Sequence, residues 1–162
     1  MQIKRRYHVR KALLKQLAQK VVEKFGKNTA ELLKGAIEVV ELGEGRETIL
    51  VGGEALLFRL NDEIFPTLKS LDRIPLKRVV VDMGAVPHVA NGADIMAPGV
   101  VSADEEITLG ESVAIVDERH GKPIAVGQAL VPGVKMRGQK GKVIKNLHHV
   151  GDEVWGFTQR VK

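Results

Sequence analysis

The feature that most constrains this chain is a change of texture near residue 75. Before it, apolar residues recur at helical and strand periods. After it, short apolar runs are cut by glycine and proline at Gly84, Pro87, Gly92, Pro98-Gly99, Gly110, Gly121, Gly127, Pro132-Gly133, Gly138 and Gly141. Glycine at that spacing suits the corners of a small barrel, where the backbone turns tightly or is approached closely. The later region is therefore expected to be an all-β barrel with one short helix over 87–91. Runs 113–116 and 124–131, joined through Glu118-Arg119-His120-Gly121, read as a hairpin. The Ile74-Pro75 break suggests domains 1–75 and 76–162.

The earlier region reads as α+β, with two helices packed on a small antiparallel sheet. Val9, Leu13, Leu17 and Val21, with Leu14, Ala18, Val22 and Phe25, recur every four positions and form one helical stripe. Gly26 supplies the stop, and Lys24 lies in the last turn, where the helix dipole favours a cation. Lys11 and Lys15 border the stripe on one edge, and Lys20 and Lys24 on the other, giving a basic outer face. Asn28 and Glu31 have capping-box spacing, which predicts a second helix to about Leu33. Runs 36–42, 48–51 and 55–60, separated by Gly43-Glu44-Gly45-Arg46 and Gly52-Gly53, read as a meander of strands. Phe65-Pro66-Thr67-Leu68 then opens another short helix through Leu71.

With 44% apolar and 28% charged residues, the 162-residue chain can afford a folded core. Aromatics are only 4%, so that core must come from Val, Leu, Ile and Ala. There is no cysteine, which removes disulfides, thiolate ligands and cysteine nucleophiles from the possible chemistry and fits a reducing compartment. No apolar run of signal-peptide or membrane-span length follows the basic start, so a cytoplasmic protein without a membrane partner is expected. A monomer is expected.

Charge is segregated. Residues 1–24 hold eight Lys/Arg against Glu23 alone, and residues 135–145 hold five against no acid, within a net charge of +5. Such patches attract phosphates with a salt-dependent affinity, although the same charges also serve simply to keep a surface soluble.

Catalytic constellations are missing from the sequence. His8, His88, His120, His148 and His149 show no zinc spacing, and the vicinal pair would point to opposite faces of a strand. Gly138-Gln139-Lys140-Gly141-Lys142-Val143 superficially resembles a phosphate loop, but Met136 and Val143 occupy positions that such a loop needs as glycine and a hydroxyl. Neither metal nor cofactor is expected, and the chain is not expected to be an enzyme.

The most informative segment runs from Gly84 to Val100 as GAVPHVANGADIMAPGV. It reads as a tight turn, one helical turn, a glycine stop and an extended return to the sheet, with small side chains that would let amides near 91–93 approach RNA. Glycines of this kind also serve only to turn a barrel, and the residues alone leave both readings open.

This segment, with Gly110, Gly127, Lys140-Gly141-Lys142-Val143-Ile144 and Asp152-Glu153-Val154-Trp155, resembles the PUA domain. That family is a small β-barrel gripping structured RNA, found attached to pseudouridine synthases and archaeosine transglycosylases. Gly53-Glu54-Ala55-Leu56-Leu57-Phe58-Arg59 and Phe65-Pro66-Thr67-Leu68-Lys69 resemble the pre-PUA domain of the malignant T-cell-amplified sequence proteins and their archaeal relatives. The likeness thus spans nearly the whole chain. Eukaryotic members, and a similar module in ligatin, act on the small ribosomal subunit with a partner carrying a SUI-type initiation-factor domain. They serve in re-initiation and removal of deacylated tRNA; they commonly carry cysteines, whereas this chain has none.

The resemblance implies an RNA-binding factor of translation that recognises tRNA or small-subunit rRNA. Its contacts would come from Val89, Ala90, Asn91, Gly92, Ala93, Asp94, Met96, Pro98 and Gly99 in the loop. Lys142, Lys145, Asn146 and His148 on the late strand would supply the rest, and the charge patch adds Lys135, Arg137 and Lys140 as phosphate contacts. The alternative is a protein-interaction adaptor, with Arg5, Arg6, Lys11 and Lys15 docking an acidic or SUI-type partner.

Overall fold

The structure, a computed structural model, describes residues 3–43, 45–138 and 140–160, without the side chain of Arg160. Glu44 of the expected turn and Gln139 of the lysine run lie outside the described residues. Two compact units are present, one formed by the chain through Pro75 together with the chain from Glu153 onward, the other by Leu76–Asp152. No described helix is long and apolar enough to cross a membrane.

In the first unit, β1 (Arg5–His8), β2 (Ile37–Glu41), β3 (Glu47–Val51), β4 (Glu54–Leu60) and β5 (Glu63–Pro66) form an antiparallel sheet in chain order. The predicted helical stripe becomes α1 (Lys11–Phe25), whose Leu17 and Val21 are buried with Ile37, Val39, Ile49, Val51 and Leu57, whereas Leu13 of the stripe is exposed and Val9 precedes the helix. Gly26 ends it at φ +100, its N–H reaching the Val22 carbonyl at 2.8 Å. Lys24 does not belong to the basic outer face. Its Nζ donates to the Ile64 carbonyl at 2.7 Å and sits 3.9 Å from the Phe65 ring centroid. Burial lowers its pKa against the opposing pull of Glu63.

Two local expectations are corrected, and one strand is new. The second helix is a 3₁₀ segment, Lys27–Leu33, without a side-chain cap, so the Asn28 capping box is not made. Residues 65–71 are not one helix: Phe65 and Pro66 close β5, and only Leu68–Ser70 takes a 3₁₀ turn. The basic start contains β1, which carries no apolar pattern and is a strand because it pairs with β2.

In the second unit, β6 (Lys77–Val81) leads into α2 (Val86–Ala90), then β7 (Ile95–Met96) and β8 (Val100–Ala103). There follow β9 (Ser112–Asp117), β10 (Pro123–Ala129) and β11 (Lys142–His149). The sheet order is β7-β11-β10-β9-β6-β8. Its two outer strands are consecutive on the chain, joined by the turn Ala97–Gly99, so one segment occupies both edges and the sheet curls into a nearly closed barrel. The hairpin of β9 with β10 follows the sequence pattern. Among the described residues, the main buried cluster of this unit is valine, isoleucine and alanine with one methionine, Met136. Each large aliphatic buried there contributes about 1.5–3 kcal/mol, enough to hold a small barrel without aromatics.

The last element, α3 (Glu153–Arg160), packs on β4 and buries Val154 and Phe157. It belongs to the first unit, whereas the sequence division had placed 153–162 with the barrel.

Candidate nucleic-acid interface

The glycine segment builds a notch at one edge of the barrel. Asp82 Oδ1 accepts the Ala85 N–H at 2.8 Å and sets the turn into α2. After that single helical turn, Gly92 takes φ +91, a region L side chains rarely adopt, and a Cβ there would lie 3.0 Å from His149 Nε2. The chain then extends through Asp94 into β7 and pairs with β11. A cavity of about 420 Å³ opens between these pieces. Val89, Ala93, Asp94, Met96, Pro98 and Gly99 line it, all singled out from the sequence. Asp82, Ala85, His88 and Ile95 also line it and were not foreseen, although Asp82 two residues before Gly84 is a turn signal. Ala90 and Asn91 lie at the end of α2 and do not line the cavity.

The amides of 91–93 are not open donors, contrary to expectation. Asn91 N–H donates to the Pro87 and His88 carbonyls, Gly92 N–H to Val89 and Ala93 N–H to His88, at 3.0–3.2 Å. A helix of one turn must satisfy its last carbonyls locally, and these amides do so.

A bulge places the lysines. Along β11 against β7, Lys142 pairs with Met96 and Ile144 with Ile95, so two steps on one strand oppose one on the other. Lys142 and Lys145, three apart, would alternate to opposite faces of a regular strand; here both reach one carboxylate. Lys142 Nζ is 3.2 Å and Lys145 Nζ 3.9 Å from Asp94 Oδ2. Asp94 Oδ1 accepts the Asn146 N–H at 2.9 Å. Burial pushes the Asp94 pKa up, but the Asn146 amide and the two ammonium groups outweigh it and hold the group below its ordinary value.

Two predicted contact residues turn inward. Asn146 donates its Nδ2 to the Val89 and Ala93 carbonyls at 3.1 and 3.0 Å, tying α2 and the extended segment to β11. His148 is fully buried, its Nδ1 3.0 Å from both Asp152 oxygens. Neither side chain is placed to touch a base, and both brace the notch. Lys140 precedes Gly141, whose carbonyl accepts the Ala97 N–H at 2.9 Å beside β7. Lys135 and Arg137 sit earlier on the same connection; these three cations are exposed and, among the described residues, make no ion pair.

In the first unit, Arg5 pairs with Glu41 at 3.6 Å and Arg6 with Glu38 at 2.5 Å. Lys11 and Lys15 are exposed, with no ion pair among the described residues. Among those residues, no group of three His, Asp or Glu side chains is arranged to hold a metal.

Known proteins match this architecture. The PUA domain family matches residues 77–151. An uncharacterized protein of Methanocaldococcus jannaschii is 46% identical over 97% of this chain and 99% of its own length. Translation machinery-associated protein 20 of Saccharomyces cerevisiae is 30% identical, covering 94% of this chain and 92% of its own length. Malignant T-cell-amplified sequence 1 of Rattus norvegicus is 32% identical, covering 75% and 71%. The crystal structure of a hypothetical protein from Pyrococcus horikoshii superposes with TM-score 0.79 at 37% identity, over 95% of this chain and 99% of that one. The chain therefore belongs to the PUA-domain family that includes translation machinery-associated protein 20 and the malignant T-cell-amplified sequence proteins.

Proposed function

We propose that this chain is an RNA-binding accessory factor of the translation apparatus that performs no catalysis itself. Its notch takes an unpaired nucleotide of tRNA or small-subunit rRNA, and its β11 edge holds the adjoining phosphates, in support of initiation or ribosome recycling. The observation that carries this reading is the open cavity of about 420 Å³ beside Lys142 and Lys145, with Lys140, which makes no ion pair among the described residues, next along the chain. Single-stranded RNA is recognised by admitting splayed bases into such recesses while cations hold the backbone. The relatives named for the translation machinery support the setting.

A second reading has its own observation: Leu13, 51% exposed, lies on α1 between Lys11 and Lys15. An exposed leucine flanked by lysines suits an acidic protein partner, such as one with a SUI-type domain.

Fluorescence polarisation separates the two. Intact tRNA is expected to bind more tightly than tRNA stripped of its 3′ end and than heparin. Gly92→Glu, which crowds His149 and strains the positive-φ turn beside the notch, and Lys140→Glu/Lys142→Glu, which tests the edge without straining the backbone, should each weaken tRNA binding by about tenfold or more. Lys11→Glu/Lys15→Glu should change it by less than about threefold. Equal binding to all three polyanions would favour the adaptor, whereas loss only in the Lys11/Lys15 variant would move the RNA site to the first unit.

A further inference from the structure

An ionised carboxylate stands where a backbone phosphate would be drawn. We propose that Asp94 determines specificity by occupying the position between Lys142 and Lys145 that a phosphate would otherwise take, so that the notch admits an uncharged nucleoside moiety and turns phosphates outward. This rests on the RNA reading above and deepens it.

The geometry supports a fixed role. Asp94 Oδ1 is held by the Asn146 N–H at 2.9 Å, Oδ2 faces both lysines, and its side chain is only 15% exposed. It cannot swing aside without breaking its hydrogen bond to the Asn146 N–H. A phosphate brought to about 4 Å would meet a repulsion of about 1 kcal/mol in water and about 4 kcal/mol near a protein surface. The balance of Asn146 and the lysines against burial keeps the carboxylate ionised at neutral pH.

The rest of the lining fits the same ligand. With the amides of 91–93 already donated to α2 carbonyls, the notch presents the carboxylates of Asp82 and Asp94 and the imidazole of His88 beside apolar Ala85, Val89 and Met96. Such a surface accepts hydrogen bonds. A base amino group or a ribose hydroxyl supplies the donor that a phosphate lacks. Phosphates then fall to Lys140 and to the outward sides of Lys142 and Lys145.

A brace for β11 needs only an acceptor for the Asn146 N–H, and Asp94→Asn keeps that acceptor while removing the charge. The expected result is a gain in heparin affinity of about threefold to tenfold, with a steeper dependence on salt as two lysines are released. tRNA should gain less, so the ratio of tRNA to heparin affinity falls by at least about threefold. In a Lys142→Gln/Lys145→Gln background the same substitution should change heparin binding little, which identifies the lysines as its route. Should Asp94→Asn fold poorly, Asp94→Ser in the same pair of backgrounds carries the same expectation. An unaltered ratio in a variant that melts like the parent overturns the role of Asp94. A parent with no preference for tRNA overturns the RNA reading itself, so the parent measurement tells the two failures apart.

Discussion

The two basic stretches look alike in sequence and differ in the fold. Of the eight Lys/Arg in residues 1–24, Arg5 and Arg6 are matched by Glu41 and Glu38 across the strand pair, and Lys24 is turned onto the Ile64 carbonyl. Of the five in residues 135–145, Lys135, Arg137 and Lys140 meet no acid among the described residues, and Lys142 and Lys145 share Asp94 alone. A regular antiparallel pair sets each cation within reach of whatever lies opposite or diagonal to it on the next strand, and β2 offers Glu41 opposite Arg5 and Glu38 diagonal to Arg6. A bulged strand instead makes cations converge. The potential that RNA meets is thus set by strand pairing as much as by the number of charges.

Gly127 is where this contrast breaks with the largest effect. It lies on β10 opposite Asn146, and a Cβ would stand 2.5 Å from Ile144 Cγ2 and 2.7 Å from the Lys145 carbonyl oxygen. One contact is with backbone and cannot be relieved by a rotamer change, so Gly127→Ala must push β11 outward. Overpacking of this kind costs about 1–3 kcal/mol, a fall of roughly 10 °C in the melting of a barrel this size. The converging lysines should separate as well, flattening the salt dependence of tRNA binding. A variant that melts and binds like the parent would show that the β10–β11 contact does not set the edge.

This pair of regions also shows what could be read from residues alone. The stripe of α1 was legible because burial on one face imposes a period, and Gly26 because positive φ selects glycine. The position of the notch was legible from glycine and small residues in a row. β1 was not, since an exposed strand carries no apolar period and exists only through its partner. β5 does carry a sequence signal, because Asn61-Asp62, both at positive φ (52° and 64°), joins β4 to β5 as a tight hairpin. The inward turn of Asn146 and His148 could not be seen, because the bulges that re-aim β11 depend on two neighbouring strands and leave no mark on its own alternation. Nor did the glycine pattern reveal that the amides of 91–93 would be consumed in closing α2.

A smaller effect concerns acid. The folded pKa of Asp94 lies below its unfolded value, so ionisation favours the folded state. That contribution is complete above the ordinary aspartate range, near pH 3.9, and is lost as pH falls through the lower folded value. The difference in unfolding free energy between the parent and Asp94→Asn should therefore narrow between pH 7 and pH 3 in urea titrations. A difference that stays constant would mean that the carboxylate's hydrogen bonds, and not its charge, carry its share of stability.

The smallest expected effect tests the silent side of the contrast. Arg6 and Glu38 are paired at 2.5 Å, with the arginine side chain 48% exposed, and its hydrogen bond is the leading cause holding the Glu38 pKa below the ordinary value. Pairs this exposed are worth about 0.2–1 kcal/mol, because solvent screens them and ordering two long side chains costs entropy. A double-mutant cycle of Arg6→Gln and Glu38→Gln should thus return a coupling of about 0.5 kcal/mol. Opposite charges so close leave little field beyond a Debye length of about 8 Å at physiological salt. tRNA affinity should therefore stay within about twofold of the parent in Arg6→Gln, while Glu38→Gln, which unmasks the cation, should raise it slightly and only at low salt. If Arg6→Gln instead weakened tRNA binding as much as Lys142→Gln, Glu38 would not be quenching its partner, and the first stretch would be acting on RNA in spite of its ion pairs.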